Sequence, residues 1–168
     1  VREVSAKAPD AHIKAFTAVE IDWFSQISGK NVPDVISSLI NAGVDALPGG
    51  GAEIFAPEVR RKICTPKTTG DSWLDIHREA HKQGLPSNAT ILYGHLESND
   101  DVIDHINRLR KLQDESKGFF AFIPVLFQPY NTRLSKIKPF PFSYDLKVHA
   151  LARLYLDNFP YIKEYWIT

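Results

Sequence analysis

The sequence predicts an α/β fold built on a parallel sheet, and three observations indicate this class. Short runs rich in β-branched and aromatic residues alternate with amphipathic helical segments, the pattern of right-handed βαβ units. Polar residues gather just after the predicted strands, at the sheet edge where such folds bind ligands. No internal repeat or interdomain linker divides the 168 residues. This periodicity leaves two architectures open, a partial (β/α) barrel and a doubly wound open sheet.

Five strands and five helices follow from the pattern in chain order. The predicted strands are 12–19, 44–47, 87–93, 119–127 and 161–167. The predicted helices are 21–28, 33–42, 70–83, 100–116 and 143–158. Pro33 falls in the first turn of its helix and Gly43 just past its end, and Ser143 is expected to cap the last helix. A closed (β/α)8 barrel takes about 250 residues. Residues 1–168 are therefore expected to be the middle and later part of one barrel domain, about five βα units, truncated at both ends.

The composition is that of a soluble globular protein and excludes several partners. Hydrophobic residues make up 43% and charged residues 24% of the chain. Twenty basic residues balance twenty acidic ones, so no net field favours nucleic acid or an anionic membrane. No apolar run reaches the roughly 20 residues of a membrane-spanning helix. The single cysteine, Cys64, excludes an internal disulfide and a multi-cysteine metal site within this sequence, which favours a cytoplasmic location.

A glycine-rich segment after the second strand is the strongest local signal for a ligand site. Residues 47–55 read LPGGGAEIF, so three glycines are followed closely by an acid, Glu53. Glycines let a backbone approach a ligand closely, and their N–H groups can face its oxygens. Glu53 would supply a fixed acceptor for ribose hydroxyls or an amine. The alternative is a tight loop in which the glycines only avoid steric strain.

The end of the third strand is the second candidate. Gly94, His95 and Glu97 follow the apolar run there, and His95 could donate or exchange a proton with a substrate. A purely structural interpretation remains open, in which His95 and Glu97 cap the following helix together with Ser98 and Asn99.

Three further patterns favour structural over functional interpretations. His77 and His81 have the i, i+4 spacing of zinc ligands but lack the metalloprotease motif, so partly exposed surface histidines are expected. Residues 60–62 form a short basic run, which is more typical of a solvated face than of a phosphate site. The aromatic stretch 119–127, together with Phe140 and Phe142, is expected to be core packing and not a cofactor box.

Read together, six segments resemble the aminofutalosine synthases, a family of radical S-adenosylmethionine (SAM) enzymes. They are KAFTAVEI at 14–21, LPGGGAEIFAPEVRRKIC at 47–64, NATILYGHLE at 88–97, LRKLQDE at 109–115, FIP at 122–124 and LDNFP at 156–160. The resemblance covers nearly the whole chain in order. It implies a TIM-type radical SAM barrel of which the five strands here are the third to seventh.

The resemblance also implies cofactors, a substrate and partners. A [4Fe–4S] cluster, whose cysteine ligands would lie in a missing N-terminal part, reduces SAM to a 5′-deoxyadenosyl radical. The radical adds to 3-[(1-carboxyvinyl)oxy]benzoate and yields 6-amino-6-deoxyfutalosine, in menaquinone biosynthesis. An electron donor such as flavodoxin or ferredoxin is expected, and no metal ligand is expected within this sequence.

Site residues follow from the same resemblance, position by position. Catalytic roles fall to His95 and Glu20. The expected cofactor-binding residues are Gly49, Gly50, Gly51, Glu53, Leu92, Gly94, Glu97, Ile123 and Pro124. The expected substrate-binding residues are Thr17, Asn88, Tyr93, Gln128 and Asn131.

Two alternative functions remain. The first is a neighbouring radical SAM activity, chiefly that of cyclic dehypoxanthinyl futalosine synthase. The second is a non-catalytic half-barrel that binds adenosine without a cluster.

Overall fold

The computed structural model describes residues 1–64 and 67–165. The helices are α1 (Arg2–Lys7), α2 (Ala18–Ser28), α3 (Val32–Ile40), α4 (Pro57–Ile63), α5 (Gly70–Lys82), α6 (Asn99–Ser116) and α7 (Phe142–Tyr155). The strands are β1 (Ser87–Tyr93), β2 (Phe119–Leu126) and β3 (Tyr161–Ile162). Among these described residues, no helix is long and apolar enough to cross a membrane.

The sheet is parallel, and each strand pairs with its neighbour in sequence. The strand order is β1-β2-β3, with Thr90 opposite Ile123 and Tyr93 opposite Leu126. Two single parallel bridges extend the sheet on the β1 side, Lys14 with Ala46 and Leu47 with Ser87. In a doubly wound sheet the strand order reverses at a switch point. Here each of the five segments lies beside the segment that precedes it in sequence. The sheet is therefore that of a partial (β/α) barrel.

An aromatic core fills the space between the sheet and the outer helices. Trp73 on α5 and Phe119 on β2 stack with ring centroids 6.1 Å apart, and Phe119 stacks on Phe159 at 5.3 Å. All three rings are at most 2% exposed. Burying a side chain of this size contributes about 1.5–3 kcal/mol. The core interpretation of the aromatic residues is thus correct for Phe119 and Phe122, which are both buried, and wrong for Phe120, Phe140 and Phe142, which are exposed.

Side-chain caps define where several helices begin. Thr17 and Glu20 form a reciprocal capping box at α2, and Ser98 and Asp101 do the same at α6. Asn31 accepts the N–H of Asp34 at the start of α3. The structural interpretation of this segment is correct for Ser98, and α6 starts one residue earlier than predicted.

The structure corrects several predicted elements. The strand 12–19 is reduced to the bridge at Lys14, because the Thr17 capping box starts α2 inside it. Short helices α1 and α4 were not predicted. The last helix starts at Phe142 after Pro141, and Ser143 does not cap it. The final strand is assigned over Tyr161–Ile162, and residues 166–168 of the prediction lie outside the described part.

A histidine–serine network joins the start of β1 to the outer helices, which corrects the expected surface position of His77 and His81. The Nδ1 atom of His77 lies 2.8 Å from Ser87 Oγ, and His81 Nε2 lies 2.7 Å from the same oxygen. His81 Nδ1 lies 2.7 Å from Ser116 Oγ, which donates to the Leu112 carbonyl. His81 Nδ1 must therefore carry the proton, and its Nε2 accepts from Ser87. His77 is fully buried.

Both imidazoles are held neutral by this environment. Burial lowers the pKa of His81 to about 4 and that of His77 well below its usual value. When folding lowers the pKa of a histidine, the free energy of unfolding has its full value above pH 6.5. Between pH 6.5 and pH 4 the unfolded chain takes up a proton that the folded chain does not, so the free energy of unfolding falls as the pH is lowered through this range.

We therefore expect acidification from pH 7 to pH 5 to cost the protein about 2 kcal/mol of unfolding free energy through His81. A His81→Gln variant should show a pH dependence smaller by that amount. Urea denaturation of the full-length protein at the two pH values measures it. His12→Gln, at an exposed histidine, is the control, and an unchanged pH dependence in His81→Gln would contradict the assignment.

Candidate functional site

The carboxyl ends of the parallel segments meet along one rim, and most predicted site residues lie there. The glycine-rich loop follows the bridge at Leu47, the turn 94–97 follows β1, and the loop from Phe127 follows β2. Rims of this kind carry the active sites of (β/α) barrels.

All six carbonyls in residues 49–54 accept hydrogen bonds from other elements of the fold. Thr90 Oγ1 donates to Gly49 O at 2.6 Å, and Trp73 Nε1 donates to Gly50 O at 3.2 Å. The other contacts come from Arg60, which donates to the carbonyls of Gly51, Ala52 and Ile54. The sixth, that of Glu53, accepts the Leu92 N–H at 2.8 Å. In a trans peptide the N–H points opposite to the C=O, so the N–H groups of 50–53 are directed away from these partners.

Two of the three glycines are required by packing. A Cβ on Gly49 would lie 2.9 Å from the Asn88 carbonyl oxygen and 2.8 Å from Thr90 Cγ2. Gly51 has φ +86°, and a Cβ there would lie 2.5 Å from Val19 Cγ2. Gly50 is less restricted, because the nearest atom to its Cβ is Thr17 Cγ2 at 3.1 Å. The steric interpretation of the loop is therefore correct for Gly49 and Gly51, and it is compatible with a ligand on the other side.

Arg60 is buried, which corrects its assignment to a solvated basic face. It is 6% exposed, and its guanidinium donates to Thr68 O at 2.5 Å in addition to the three loop carbonyls. Burial lowers its pKa, partly offset by Cys64 and Glu53 nearby. The signal in the sequence is Pro57, which begins α4 and places Arg60 one turn later on its inner side.

Glu53 lies at the rim in an unusual conformation. Its φ is +45°, a left-handed value that costs a non-glycine residue about 1–2 kcal/mol. The side chain is 20% exposed, and Oε1 pairs with Lys67 Nζ at 2.5 Å. The bonds of Arg60 to the carbonyls on both sides stabilise this backbone, so the carboxylate is presented in one direction.

The turn 94–97 is closed by its own side chains. Glu97 accepts the N–H groups of Gly94 and, at 2.9 Å, His95. Burial raises the Glu97 pKa, but the hydrogen bonds from His95 and Gly94 outweigh it and leave the pKa lowered. His95 Nε2 lies 3.0 Å from Leu92 O, and Nδ1 lies 2.7 Å from the Leu96 nitrogen and 2.9 Å from Glu97 Oε2, so both ring nitrogens are occupied. Gly94 makes room for Leu126 and Phe140 of the chain itself. This turn is a structural brace, and the imidazole offers no free nitrogen for proton exchange.

Thr17 and Glu20 are likewise engaged with each other. Glu20 Oε2 accepts the Thr17 N–H at 2.7 Å and the Thr17 hydroxyl at 2.9 Å. The structure brings Thr17 next to Gly50, so this pair lies beside the glycine loop. The Glu20 carboxylate stabilises the start of α2 as part of the capping box.

The remaining predicted residues are spread over different surfaces. Tyr93 is buried on the outer face of β1 and donates to Asp145 of α7, and burial with that contact raises its pKa. Asn88 lies at the start of β1, at the opposite end from the rim, with an unpaired buried Oδ1. Neither side chain reaches the rim. Asn131 is exposed with φ +59°.

On β2, Ile123 pairs beside Thr90 and Pro124 beside Ile91, and both are buried. Because Thr90 points to Gly49, its partner Ile123 faces the barrel interior and Pro124 the outer layer. Gln128 lines a separate cavity near α7. Of the predicted set at the rim, Glu53 and the glycine loop lie together, and Leu92 lies beside His95 in the lining of one cavity.

A family model described as the radical SAM superfamily matches residues 3–109. The chain belongs to the radical SAM superfamily. This agrees with the parallel sheet in sequential order.

Two aminodeoxyfutalosine synthases and a 4-hydroxyphenyl transferase are similar to nearly the whole of this chain. The chain is 51% identical to an aminodeoxyfutalosine synthase of Thermus thermophilus, over 100% of this chain and 46% of the relative. It is 41% identical to an aminodeoxyfutalosine synthase of Streptomyces coelicolor, over 99% and 46%. It is also 38% identical to a 5-amino-6-(D-ribitylamino)uracil–L-tyrosine 4-hydroxyphenyl transferase of Methanopyrus kandleri, over 98% and 46%. The chain spans about half the length of these relatives.

The chain has a single cysteine, whereas protein iron–sulfur clusters are held by several cysteine thiolates. Cys64 is the single cysteine, and it is buried with its thiol directed to Arg60 O at 3.4 Å. Within 1–64 and 67–165, no group of three or more His, Cys, Asp or Glu side chains could bind a metal ion. One thiolate cannot replace the several that such clusters require.

We expect Arg60→Met to lower the free energy of unfolding by about 3 kcal/mol or more, because four buried carbonyls lose their donor. Arg60→Lys should fall between this variant and the wild type, since an ammonium cannot reproduce the planar fork. Chemical denaturation of the full-length protein measures the difference. The neighbouring Arg61→Met, at an exposed residue with a surface ion pair to Glu58, should cost under about 1 kcal/mol. Equal losses in the two methionine variants would show that Arg60 has no special role.

Proposed function

We propose that the chain is the part of an aminodeoxyfutalosine synthase that binds SAM and substrate. The whole protein would join the 5′-deoxyadenosyl part of SAM to 3-[(1-carboxyvinyl)oxy]benzoate and give 6-amino-6-deoxyfutalosine for menaquinone biosynthesis. The observation that carries this proposal is the 51% identity to a protein of that name over the full chain. The rim geometry supports it with a fixed acid beside a glycine loop.

Glu53 is the chain's main polar group for SAM in this proposal. A carboxylate accepts hydrogen bonds from a pair of ribose hydroxyls or from the amino group of the methionine part. Arg60 and the Leu92 N–H hold its backbone, so no reorganisation is needed when the ligand arrives. Lys67 occupies the carboxylate in this structure, and a bound hydroxyl or amine would share or replace that contact.

The loop and the inner face of the sheet would supply the rest of the SAM site. The N–H groups of 50–53, turned away from the protein partners of the loop, are donors for ligand oxygens. Leu92 and Ile123 face the barrel interior and form an apolar wall for a base. When bound, SAM supplies the deoxyadenosyl group and the cluster supplies the electron; the role of these residues is to orient SAM and exclude water.

Other parts of the proposal lie outside these residues. The cysteine ligands of the cluster would belong to sequence beyond the 168 residues, and the electron would come from a donor such as flavodoxin or ferredoxin. We place the protein in the cytoplasm, where such donors act.

The full-length enzyme, supplied with SAM, a reductant and 3-[(1-carboxyvinyl)oxy]benzoate, should form 6-amino-6-deoxyfutalosine, detected by mass spectrometry. Glu53→Gln should lower kcat/KM for SAM about 10- to 100-fold, because a hydrogen bond to a charged group contributes about 1.5–3 kcal/mol. The matched control is Glu115→Gln, at an exposed acid on α6 that pairs with Arg78. No product from this substrate, with turnover of dehypoxanthine futalosine instead, would assign the chain to the cyclic dehypoxanthinyl futalosine synthases.

A further inference from the structure

A cavity of about 380 Å³ opens at the rim, between the end of α4, the end of β1 and the loop after β2. Its volume lies within the range of about 300–1,000 Å³ typical of small-molecule sites. Leu92, which is part of the apolar wall proposed above for the base of SAM, also lines this cavity. Neither the glycine loop 49–51 nor Glu53 lines it, so the cavity adjoins the proposed SAM site at Leu92.

The charge of the cavity is one-sided. Its lining includes three cations, Arg61, Lys62 and Arg133, and no aspartate or glutamate. Arg61 pairs with Glu58 on α4. Lys62 and Arg133 are exposed and make no ion pair with any other residue of 1–64 or 67–165. Lys62 and Arg133 therefore give the cavity a positive charge that no aspartate or glutamate of the described residues neutralises.

The floor of the cavity is apolar and partly aromatic. Leu92, Ile63, Phe127 and Leu134 line it. The Phe127 ring stands at 88° to the His95 ring, with centroids 5.8 Å apart. Since both nitrogens of His95 are bonded within its own turn, this imidazole is a rigid wall for the Phe127 edge. The combination suits a flat ring that carries a carboxylate.

The other rim and outer-layer cavities have different chemistry. The cavity at Gln128 and His149 contains the acids Asp145 and Glu164. In the cavity between α4 and α5, the cations already have partners: Lys67 pairs with Glu53 and Arg108 with Asp71. The rim cavity lined by Lys62 and Arg133 differs from these two cavities, because it places uncompensated cations next to an apolar floor.

We infer that this rim cavity binds an aromatic carboxylate, with Lys62 and Arg133 as the groups that hold its carboxylate. The inference rests on the proposed function, because the substrate proposed there is a benzoate that carries a second carboxylate on its vinyl ether. Lys62 is on α4 and Arg133 is in the loop after β2. Each cation would pair with one of the two carboxylates of this substrate. Leu92 would then lie between the aromatic substrate and the adenosyl group, which brings the reacting partners to neighbouring sites.

The test uses the full-length enzyme and 3-[(1-carboxyvinyl)oxy]benzoate as the probe. Calorimetric titration without SAM should show binding that weakens as salt is raised. Lys62→Gln and Arg133→Gln should each weaken it about tenfold and raise KM for this substrate, with KM for SAM unchanged. Arg133→Lys should restore part of the affinity. Lys82→Gln, at an exposed lysine on the far side of the barrel, should leave binding at the wild-type value, and melting curves should show all variants folded.

The outcomes separate this inference from the proposed function. Normal product formation with unchanged substrate KM in both glutamine variants would overturn the cavity assignment and leave the proposed function standing. Binding of the benzoate that depends on Lys62 and Arg133, without formation of the product, would support the cavity and overturn the proposed reaction. A wild-type enzyme that does not bind the benzoate would overturn the cavity assignment as well.

Discussion

The buried guanidinium of Arg60 is the contact on which the geometry of the rim depends. It gathers carbonyls from the glycine loop and from Thr68, which come from separate stretches of backbone. An arginine is suited to this task because its planar fork offers five donors and stays charged when buried. Without it the carbonyls around Glu53 would be unpaired in a dry environment, and the left-handed conformation of Glu53 would lose its support.

Most polar residues at the rim are committed to building it. Glu20 caps α2, Glu97 and His95 close the turn after β1, and Thr90 holds Gly49. Few groups are left to meet a ligand, chiefly Glu53 and the cations at the mouth of the rim cavity. A site with so many internal bonds is preorganised, so that binding energy is not consumed in ordering the protein.

The sequence revealed the parallel α/β fold because strand and helix periodicities are local properties. It also revealed the glycine loop, whose spacing next to a strand is visible without coordinates. It did not show the direction in which each polar group points. His77 was expected at the surface, yet Ser87, ten residues later, provides its buried partner. The start of α2 was missed because residues 12–19 satisfy a strand pattern, whereas the helix begins at a capping box that pairs Thr17 with Glu20, three residues later.

The hydroxyl of Ser87 is shared by two imidazoles. It accepts from His77 Nδ1 and donates to His81 Nε2, in the order that the bond from Ser116 to the Leu112 carbonyl imposes. An alanine at position 87 would remove a hydrogen-bond partner from both rings at once, whereas a change of either histidine would leave the hydroxyl its other partner. The contributions of positions 77, 81 and 87 to stability are therefore non-additive, although none of the three residues lies near the rim.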